Sequence, residues 1–348
     1  MTLARHTGAA LLVAVVLLVL TVRVGTFTDY QIAQVAAYVT AVAGLTYLIG
    51  LSGQISIGHG AFMAIGAYAS ALLLLHLHWP LELVFAASAV VGAAAGGIIG
   101  VAAARLRGPY LAGATLMLAV ALPSVADKYA GVFGGDQGLS VTITTPAWLG
   151  ATFPPTRWLA WITCAGALIA LVLLANLGRS RIGRSWRAVR DDEVAAALSG
   201  VNVARMQILA FVVSSAAAGL GGALLAVVIG IVTPEAFTLT LSISLLTAAI
   251  LGGLGSLAGA VWGSLVLVFV PTLVTNMASS HNLSSSVSSN IPIVVYGVVL
   301  IGVMLLFPSG IQGGLRRLLG LAGPAASVPF NALRRHAPAS ENQEEGTT

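Results

Sequence analysis

The 348-residue chain is 58% hydrophobic and only 8% charged, and its mean hydropathy is +0.97. No soluble core requires so much apolar surface, so this composition excludes a soluble globular protein and indicates a polytopic α-helical membrane protein. The formal net charge is +5. The apolar runs of the sequence are far too long for the alternating strands of a membrane β-barrel.

A helix that crosses a bilayer needs about 20 mostly apolar residues. The eighth candidate span is short and runs into the ninth through Gly-Gly-Leu-Gly-Ser, so this pair is a candidate for half-helices. The sequence therefore predicts an all-α polytopic fold of about eight to ten transmembrane helices with glycine-rich breaks. The ten candidates in chain order are 9–24, 32–51, 59–75, 81–104, 110–126, 158–177, 208–232, 237–251, 257–275 and 291–307.

The distribution of arginine and lysine predicts the orientation of these helices. If the N- and C-termini are both cytoplasmic, only Arg23, Lys128 and Arg157 lie outside, an arrangement that the positive-inside rule favours. The transmembrane domain is then 1–320. It carries a cytoplasmic loop at 178–207 and an extracytoplasmic loop at 127–157, and the tail 321–348 is predicted to be disordered because it has little to bury.

The residue pattern offers no source of energy for transport within this chain. Carriers driven by ions usually place Asp, Glu or Lys inside the membrane, and the middle of the predicted spans contains none, which leaves His59 as a candidate. A phosphate-binding loop requires a Gly-Lys-Ser/Thr signature, whereas the sequence has the single lysine Lys128. No nucleophile–base pair or metal-ligand spacing appears, so we predict no catalytic residue and no metal site. The protein is accordingly either a passive channel or the membrane half of a machine whose motor is another chain.

The loop 178–207 favours the second interpretation. Residues 186–199 are predicted to form one short, alanine-rich helix that Gly200 ends, with ion pairs between Arg187 and Asp191 and between Arg190 and Glu193. A basic loop that only rests on anionic headgroups is the alternative, and it would account for the arginines. Three consecutive acids followed by a small-residue surface suit insertion into a groove on a partner protein instead.

Several motifs resemble those of one family, the permease subunits of bacterial ATP-binding-cassette importers for branched-chain amino acids, in the LivM-type branch. They follow the family's order across most of the chain: GLSGQISIGHGAFMAIGAY (50–68), FGGDQGL (133–139), IGRSWRAVRDDEVAAALSGVN (182–202), TPEAFTL (233–239), ILGGLGSLAGAVWG (250–263) and FPSGI (307–311).

The resemblance implies a non-catalytic subunit of the bacterial plasma membrane that imports leucine, isoleucine or valine. Its implied partners are a sister permease, two ATPase subunits that bind ATP and Mg²⁺, and an extracytoplasmic solute-binding protein; no cofactor in this chain and no nucleic acid are expected. Relatives with the same plan import urea, short amides or other small polar solutes, so the substrate stays open. A secondary carrier or channel that works without an ATPase is the second alternative.

The same resemblance implies that the loop docks the ATPase. The family's Glu-Ala-Ala…Gly pattern matches at Ala196, Ala197 and Gly200, whereas Ala195 occupies the position of the usual acid and Glu193 stands two residues earlier. The predicted ATPase-docking residues are Arg184, Arg187, Arg190, Asp191, Asp192, Glu193, Ala196, Ala197 and Gly200.

Two glycine-rich breaks, at 50–60 and 252–256, interrupt apolar runs in the two halves of the chain. Such paired breaks are typical of a central site in transporters built from repeats. We expect helix N-termini beside them to face a solute path, where their amides receive a carboxylate; the alternative is that the glycines only allow close helix packing. The predicted path residues are Ser52, Gln54, Ser56, His59, Gly252, Gly253, Gly255 and Ser256.

Overall fold

The computed structural model describes most of the chain. The described residues are 25–106, 109–143, 145–146, 153–280 and 310–318, together with 8, 13–19, 21, 23, 295, 297–298, 301–302, 305 and 320. The predicted tail 321–348 lies outside them, as do seven of the sixteen residues of the first predicted span (9–24) and most of the tenth (291–307).

The described residues are predominantly helical, with a single two-stranded ladder among them. The helices are α1 (Thr26–Ser52), α2 (His59–Leu72, continued by a π-helical turn Leu73–Leu77), α3 (Leu81–Ala103), α4 (Pro109–Lys128), α5 (Ala130–Phe133), α6 (Pro155–Arg179), α7 (Arg181–Asp191), α8 (Glu193–Leu198), α9 (Val203–Ile229), α10 (Leu239–Gly252), α11 (Leu257–Ser280) and α12 (Gly310–Leu318).

Eight of these helices are long and apolar enough to cross a membrane: α1, α2, α3, α4, α6, α9, α10 with its preceding turn, and α11. They coincide with the eight inner spans predicted from the sequence, and they confirm an all-α polytopic membrane fold. Helix α10 has only 14 residues, or about 21 Å at 1.5 Å per residue. It is therefore as short as predicted against a hydrocarbon core of about 30 Å.

Several predicted span limits differ from the observed helix ends, and two of these differences involve an acidic residue or a glycine. Helix α1 begins at Thr26 rather than 32, which places Asp29 in its first turn, 3.5 Å from the guanidinium of Arg157 at the start of α6. Helix α9 ends at Ile229 rather than 232, because Gly230 adopts a left-handed conformation with φ of 80°. An added Cβ would strain that conformation, so glycine ends helices readily.

The chain after Gly230 turns back toward the end of α4. Strand β1 (Leu139–Ser140) pairs antiparallel with β2 (Ile231–Val232), and Leu139 lies opposite Val232. This short ladder joins the two segments that follow α4 and α9. It lies at one end of the bundle, and α7 and α8, which precede α9, lie at the other.

Helices α1 and α9 form the centre of the bundle, since 72% of the residues in their most apolar stretches are buried, whereas fewer than a third of those in α3, α4 and α11 are buried, as in helices that contact lipid. Close packing at the centre depends on small residues. An added Cβ at Gly92 of α3 would lie 2.5 Å from the Ser215 carbonyl oxygen of α9, and one at Gly44 of α1 would lie 2.7 Å from that of Ser214. Without a hydrophobic difference between lipid and protein, such backbone approach is a main source of helix association.

Candidate functional site

Helix α7 is held firmly against the ends of α6 and α9. The indole Nε1 of the buried Trp186 donates to the carbonyl oxygen of Met206 at 2.9 Å, and Arg187 donates to that of Gly178 at 3.1 Å. Gly183 packs so closely on Gly178 that any Cβ would overlap its carbonyl. The predicted docking loop is therefore a fixed part of the bundle end.

The predicted single helix over 186–199 is wrong, because Asp192 divides it. Asp192 has φ −158° and ψ 110°, and its carboxylate caps α8 by accepting from the amides of Val194 and Ala195 at 2.8 and 2.9 Å. An aspartate at such a position favours a new helix start over continuation. Gly200, with φ of 83°, follows the end of α8 as expected.

This division also changes the ion pairs. Asp191 pairs with its neighbour Arg190 at 2.7 Å rather than with Arg187. Glu193 accepts from the side-chain amide of Gln207 at 3.0 Å. The two predicted pairs, Arg187–Asp191 and Arg190–Glu193, are thus wrong. Within α7, Arg187 donates to Gly178 instead of pairing with Asp191, and the helical spacing that would join Arg190 to Glu193 does not persist through Asp192.

The exposed surface of α8 carries two apolar side chains that the sequence reasoning missed. Val194 is 70% exposed and Leu198 is 85% exposed, and they stand four residues apart on one side of the helix. We name this pair the α8 face. Its signal in the sequence was apolar residues at helical spacing inside a charged loop.

The predicted docking residues divide by exposure. Ala196 is buried within the chain, so it supports α8 and offers no surface to a partner. Arg187 and Glu193 are half-buried. The remaining predicted docking residues are exposed around the α8 face: Arg184, Arg190, Asp191, Asp192, Ala197 and Gly200.

The first glycine-rich break is a non-helical segment, 53–58, between α1 and α2. Hydroxyl groups of distant helices accept from two amides here: the Ile57 amide of the segment donates to Thr115 Oγ1 of α4, and the Gly60 amide, in the first turn of α2, donates to Ser242 Oγ of α10, both at 3.0 Å. Irregular backbone within a membrane needs such partners. Two of the amides that we expected to receive a carboxylate therefore already have acceptors.

Side chains of this segment alternate between inside and outside. Ser52, Gln54 and Ser56 are buried, whereas Gly53 and Ile55 point outward, and Ile55 is 48% exposed. Ser52 donates to the Leu48 carbonyl oxygen at 2.8 Å and contacts Gln54 at 3.2 Å. The polar groups predicted to line a path thus face the interior of this subunit.

Some of these buried polar atoms have no partner within the described part of the chain. They are Nε2 of Gln54 and Oγ of Ser56. Buried polar atoms normally form hydrogen bonds, so these two are unusual in lacking a partner within the described structure. His59 is also fully buried, and its ring stands edge-on to Phe62 at 6.0 Å between centroids.

The second break is a tight turn between α10 and α11. Gly253 and Gly255 have φ of 114° and 77°, which only glycine adopts readily. Gly252 lies against Gly259, and the Ser256 hydroxyl accepts from the Gly259 amide at 3.3 Å. The packing role proposed for glycines is therefore evident here.

The two breaks, two hundred residues apart in sequence, meet in space. The Gly255 amide donates to the Thr46 carbonyl oxygen of α1 at 3.1 Å, and any Cβ on Gly50 would overlap the Gly255 backbone. Gly310, the first residue of α12, also packs here, since its added Cβ would lie 2.6 Å from Gly253. The structure thus brings the two breaks and the start of α12 into one cluster of glycines, near the C-terminal end of α7.

Nothing in the described ranges groups three or more His, Cys, Asp or Glu side chains in a way that could hold a metal ion. The arrangement provides a packed bundle, a polar internal segment and an exposed apolar face at one end.

Comparisons with known proteins agree with one another. A family model described as the permease component of branched-chain amino acid transport systems matches residues 27–308. The high-affinity branched-chain amino acid transport permease LivM of Salmonella typhimurium is 34% identical over 254 residues, or 66% of this chain, and the Escherichia coli protein of the same name is 33% identical. The chain covers 60% of the length of each.

More distant relatives cover more of their own length. The LivH permease of Escherichia coli is 28% identical over 80% of this chain and 92% of its own length. The fructose import permease FrcC of Rhizobium meliloti is 29% identical over 69% of each chain. No solved structure matches the chain significantly.

Proposed function

The chain belongs to the family of branched-chain amino acid transport permeases, and from that premise we propose that it is the membrane subunit of an ATP-driven importer. In this proposal it carries leucine, isoleucine or valine across the bacterial plasma membrane. ATP is hydrolysed by separate subunits, because the whole sequence contains one lysine, Lys128, and no phosphate-binding loop around it.

The observation that carries the proposal is the α8 face. Leu198 and Val194 are large apolar side chains exposed at the end of a short helix, and α7 fixes that helix to the bundle. A helix that binds in a groove of a partner protein does so through an exposed apolar face. We therefore assign this end of the bundle to the cytoplasm, where the ATPase subunits would dock.

The proposed path for the solute runs along the 53–58 segment. Its support is the pair of buried, unpaired polar atoms on Gln54 and Ser56, which lie beside irregular backbone. Residues Gly53 and Ile55 form the opposite, outward side of the segment. We infer that the sister permease packs on that outward side, which would place the segment at the centre of the pair.

Uptake by conservative variants tests the path. Gln54→Leu and Ser52→Ala remove polar atoms without adding side-chain bulk, so we expect reduced uptake in both with normal assembly. Thr163→Val is the matched control, because its buried hydroxyl bonds only within α6 in the described structure. Normal uptake by both path variants would contradict the assignment.

The identity of the solute is the part of the proposal for which a second candidate exists. Similarity to the fructose permease FrcC indicates that this fold serves polar solutes in other systems. The second candidate is therefore the same machine importing a small polar solute such as urea, a short amide or a sugar. Binding-protein importers leave much of the selection to the binding protein, so both candidates share one mechanism in this chain.

Deletion of the gene in its host, with restoration from a plasmid, tests the function. Uptake of labelled leucine, urea and fructose is measured in cells depleted of ATP and, separately, in cells treated with a protonophore. We expect deletion to abolish leucine uptake alone, and ATP depletion to abolish it even when the proton gradient is kept. Uptake that follows the gradient instead would identify a secondary carrier.

A further inference from the structure

Arg190 connects the proposed docking helix with the cluster of glycine breaks. Its guanidinium Nη1 donates to the carbonyl oxygen of Gly50 near the end of α1, 140 residues earlier in the chain. The aliphatic part of its side chain lies against Gly53, where an added Cβ would be 2.9 Å from Cγ. One side chain therefore touches both sides of the point where α1 becomes the 53–58 segment.

The Gly50 carbonyl needs this donor. The amides that follow it turn elsewhere, because Gly53 donates to Ile49 and Gln54 donates to Leu48. The end of a helix leaves carbonyl groups without intrahelical donors, and a cation there also interacts favourably with the helix dipole. Arg190 thus caps α1 from outside, with a charge-assisted hydrogen bond.

Asp191 holds the guanidinium in this orientation. Its Oδ1 accepts from Nε and Nη2 of Arg190 at 2.9 and 2.7 Å, which leaves Nη1 directed at Gly50. Both side chains are partly exposed, at 40% for Arg190 and 65% for Asp191. Such a pair adds little stability at a surface, so its effect on orientation is the more important one.

From Gly50 the connection continues to the second break. Gly50 packs on the backbone of Gly255, whose amide bonds to Thr46 one turn earlier in α1. The last two turns of α1 are thus bonded to α7 through Gly50 and Arg190, and to the 252–256 turn through Thr46. A displacement of α7 that is transmitted by Arg190 would move α1 and both breaks together.

We propose that Arg190 is a positioning residue for transport: it couples movement of the docking helix to the glycine breaks that border the solute path. This inference rests on the proposed function, and it removes Arg190 from the surface that binds the ATPase. Arg190 would act inward on α1, whereas Val194 and Leu198 act outward on the partner.

The test uses the intact transporter in vesicles, with solute uptake and ATP hydrolysis measured on the same preparation. Arg190→Gln should leave ATPase co-purification and ATP hydrolysis unchanged and lower solute carried per ATP by about tenfold, the size of one charge-assisted hydrogen bond. Arg190→Lys should restore part of the coupling, because the lysine ammonium can still donate a single hydrogen bond to the Gly50 carbonyl oxygen.

Two further variants keep the inference falsifiable if Arg190→Gln does not assemble. Asp191→Asn frees the guanidinium without disturbing a buried group, so we expect an intermediate loss of coupling. Arg181→Gln removes a cation from the exposed first turn of α7, where Arg181 has no partner among the described residues, and should leave the coupling ratio unchanged.

The outcomes separate this inference from the proposed function. A wild-type protein that binds no ATPase would overturn the proposed function. Wild-type transport with an unchanged ratio in both Arg190→Gln and Asp191→Asn would overturn the coupling role alone. If Arg181→Gln and Arg190→Gln lower the solute carried per ATP equally, the loss comes from the overall charge of α7, and the coupling role of Arg190 is overturned.

Discussion

Truncation of the α8 face should weaken ATPase docking by an amount that the structure sets. Leu198→Ala removes about three apolar carbons at roughly 0.8 kcal/mol each. Leu198 is 85% exposed before docking, so complete coverage by a partner groove would contribute about 2 kcal/mol, or roughly 30-fold in Kd. Val194→Ala removes two carbons from a side chain that is 70% exposed, which corresponds to about 1 kcal/mol, or roughly fivefold.

The assay is equilibrium binding of the ATPase subunit to the protein in lipid nanodiscs. Val132→Ala is the matched control for Val194→Ala, because Val132 is 52% exposed on α5, which follows α4 at the opposite end of the bundle. We expect it to bind as the wild type does, and we expect none of the three variants to lower the Tm. If Leu198→Ala and Val194→Ala bind with wild-type Kd, or if Val132→Ala loses as much, the α8 face is not the docking surface.

Two further predictions concern the packing that places the site. Thr115→Val removes the acceptor of the Ile57 amide and should cost about 1–3 kcal/mol of unfolding free energy. Thr115→Ser keeps the hydroxyl and should cost less, about 0.8 kcal/mol for the buried methyl group that it deletes; equal Tm values in detergent for the two variants would contradict this. Gly222→Ala places a Cβ onto the Met63 backbone and should cost about 1–3 kcal/mol by overpacking. Gly113→Ala, with no atom within 4 Å of its added Cβ in the described structure, should leave the Tm unchanged or raise it, and a similar fall in both glycine variants would show that helix contact is not the cause.

The helices of the bundle were predictable because their signal is local. A run of about 20 apolar residues is sufficient for a spanning helix whatever it packs against, and the eight inner spans agree with the structure. The errors occur where a single residue decides. Asp192 divides the docking loop by capping a new helix, and Gly230 ends α9 early. Aspartate starts helices and glycine ends them, but the chain has 40 glycines, many of them inside helices, so the residue type alone did not indicate which position would act as a boundary.

The candidate site was predictable in position but not in orientation. Polar residues and glycines marked the 53–58 segment, yet the direction of Ser52 and Ile55 depends on which neighbours cover each side. A non-helical segment has no periodicity that fixes its buried face. The contact of Arg190 with the Gly50 carbonyl could not be predicted either, because its acceptor lies 140 residues away in the sequence.

The sequence by itself determined that the chain is a membrane protein, how many inner helices it forms and where its irregular segments occur. These properties follow from composition and from the hydropathy of neighbouring residues, which are fixed before any tertiary contact forms. Only the tertiary structure decided that Gly50, Gly255 and Gly310 meet near the C-terminal end of α7, and that α8 exposes Leu198 while it buries Ala196. Those outcomes depend on backbone approach and hydrogen bonds between distant segments, which no local pattern contains.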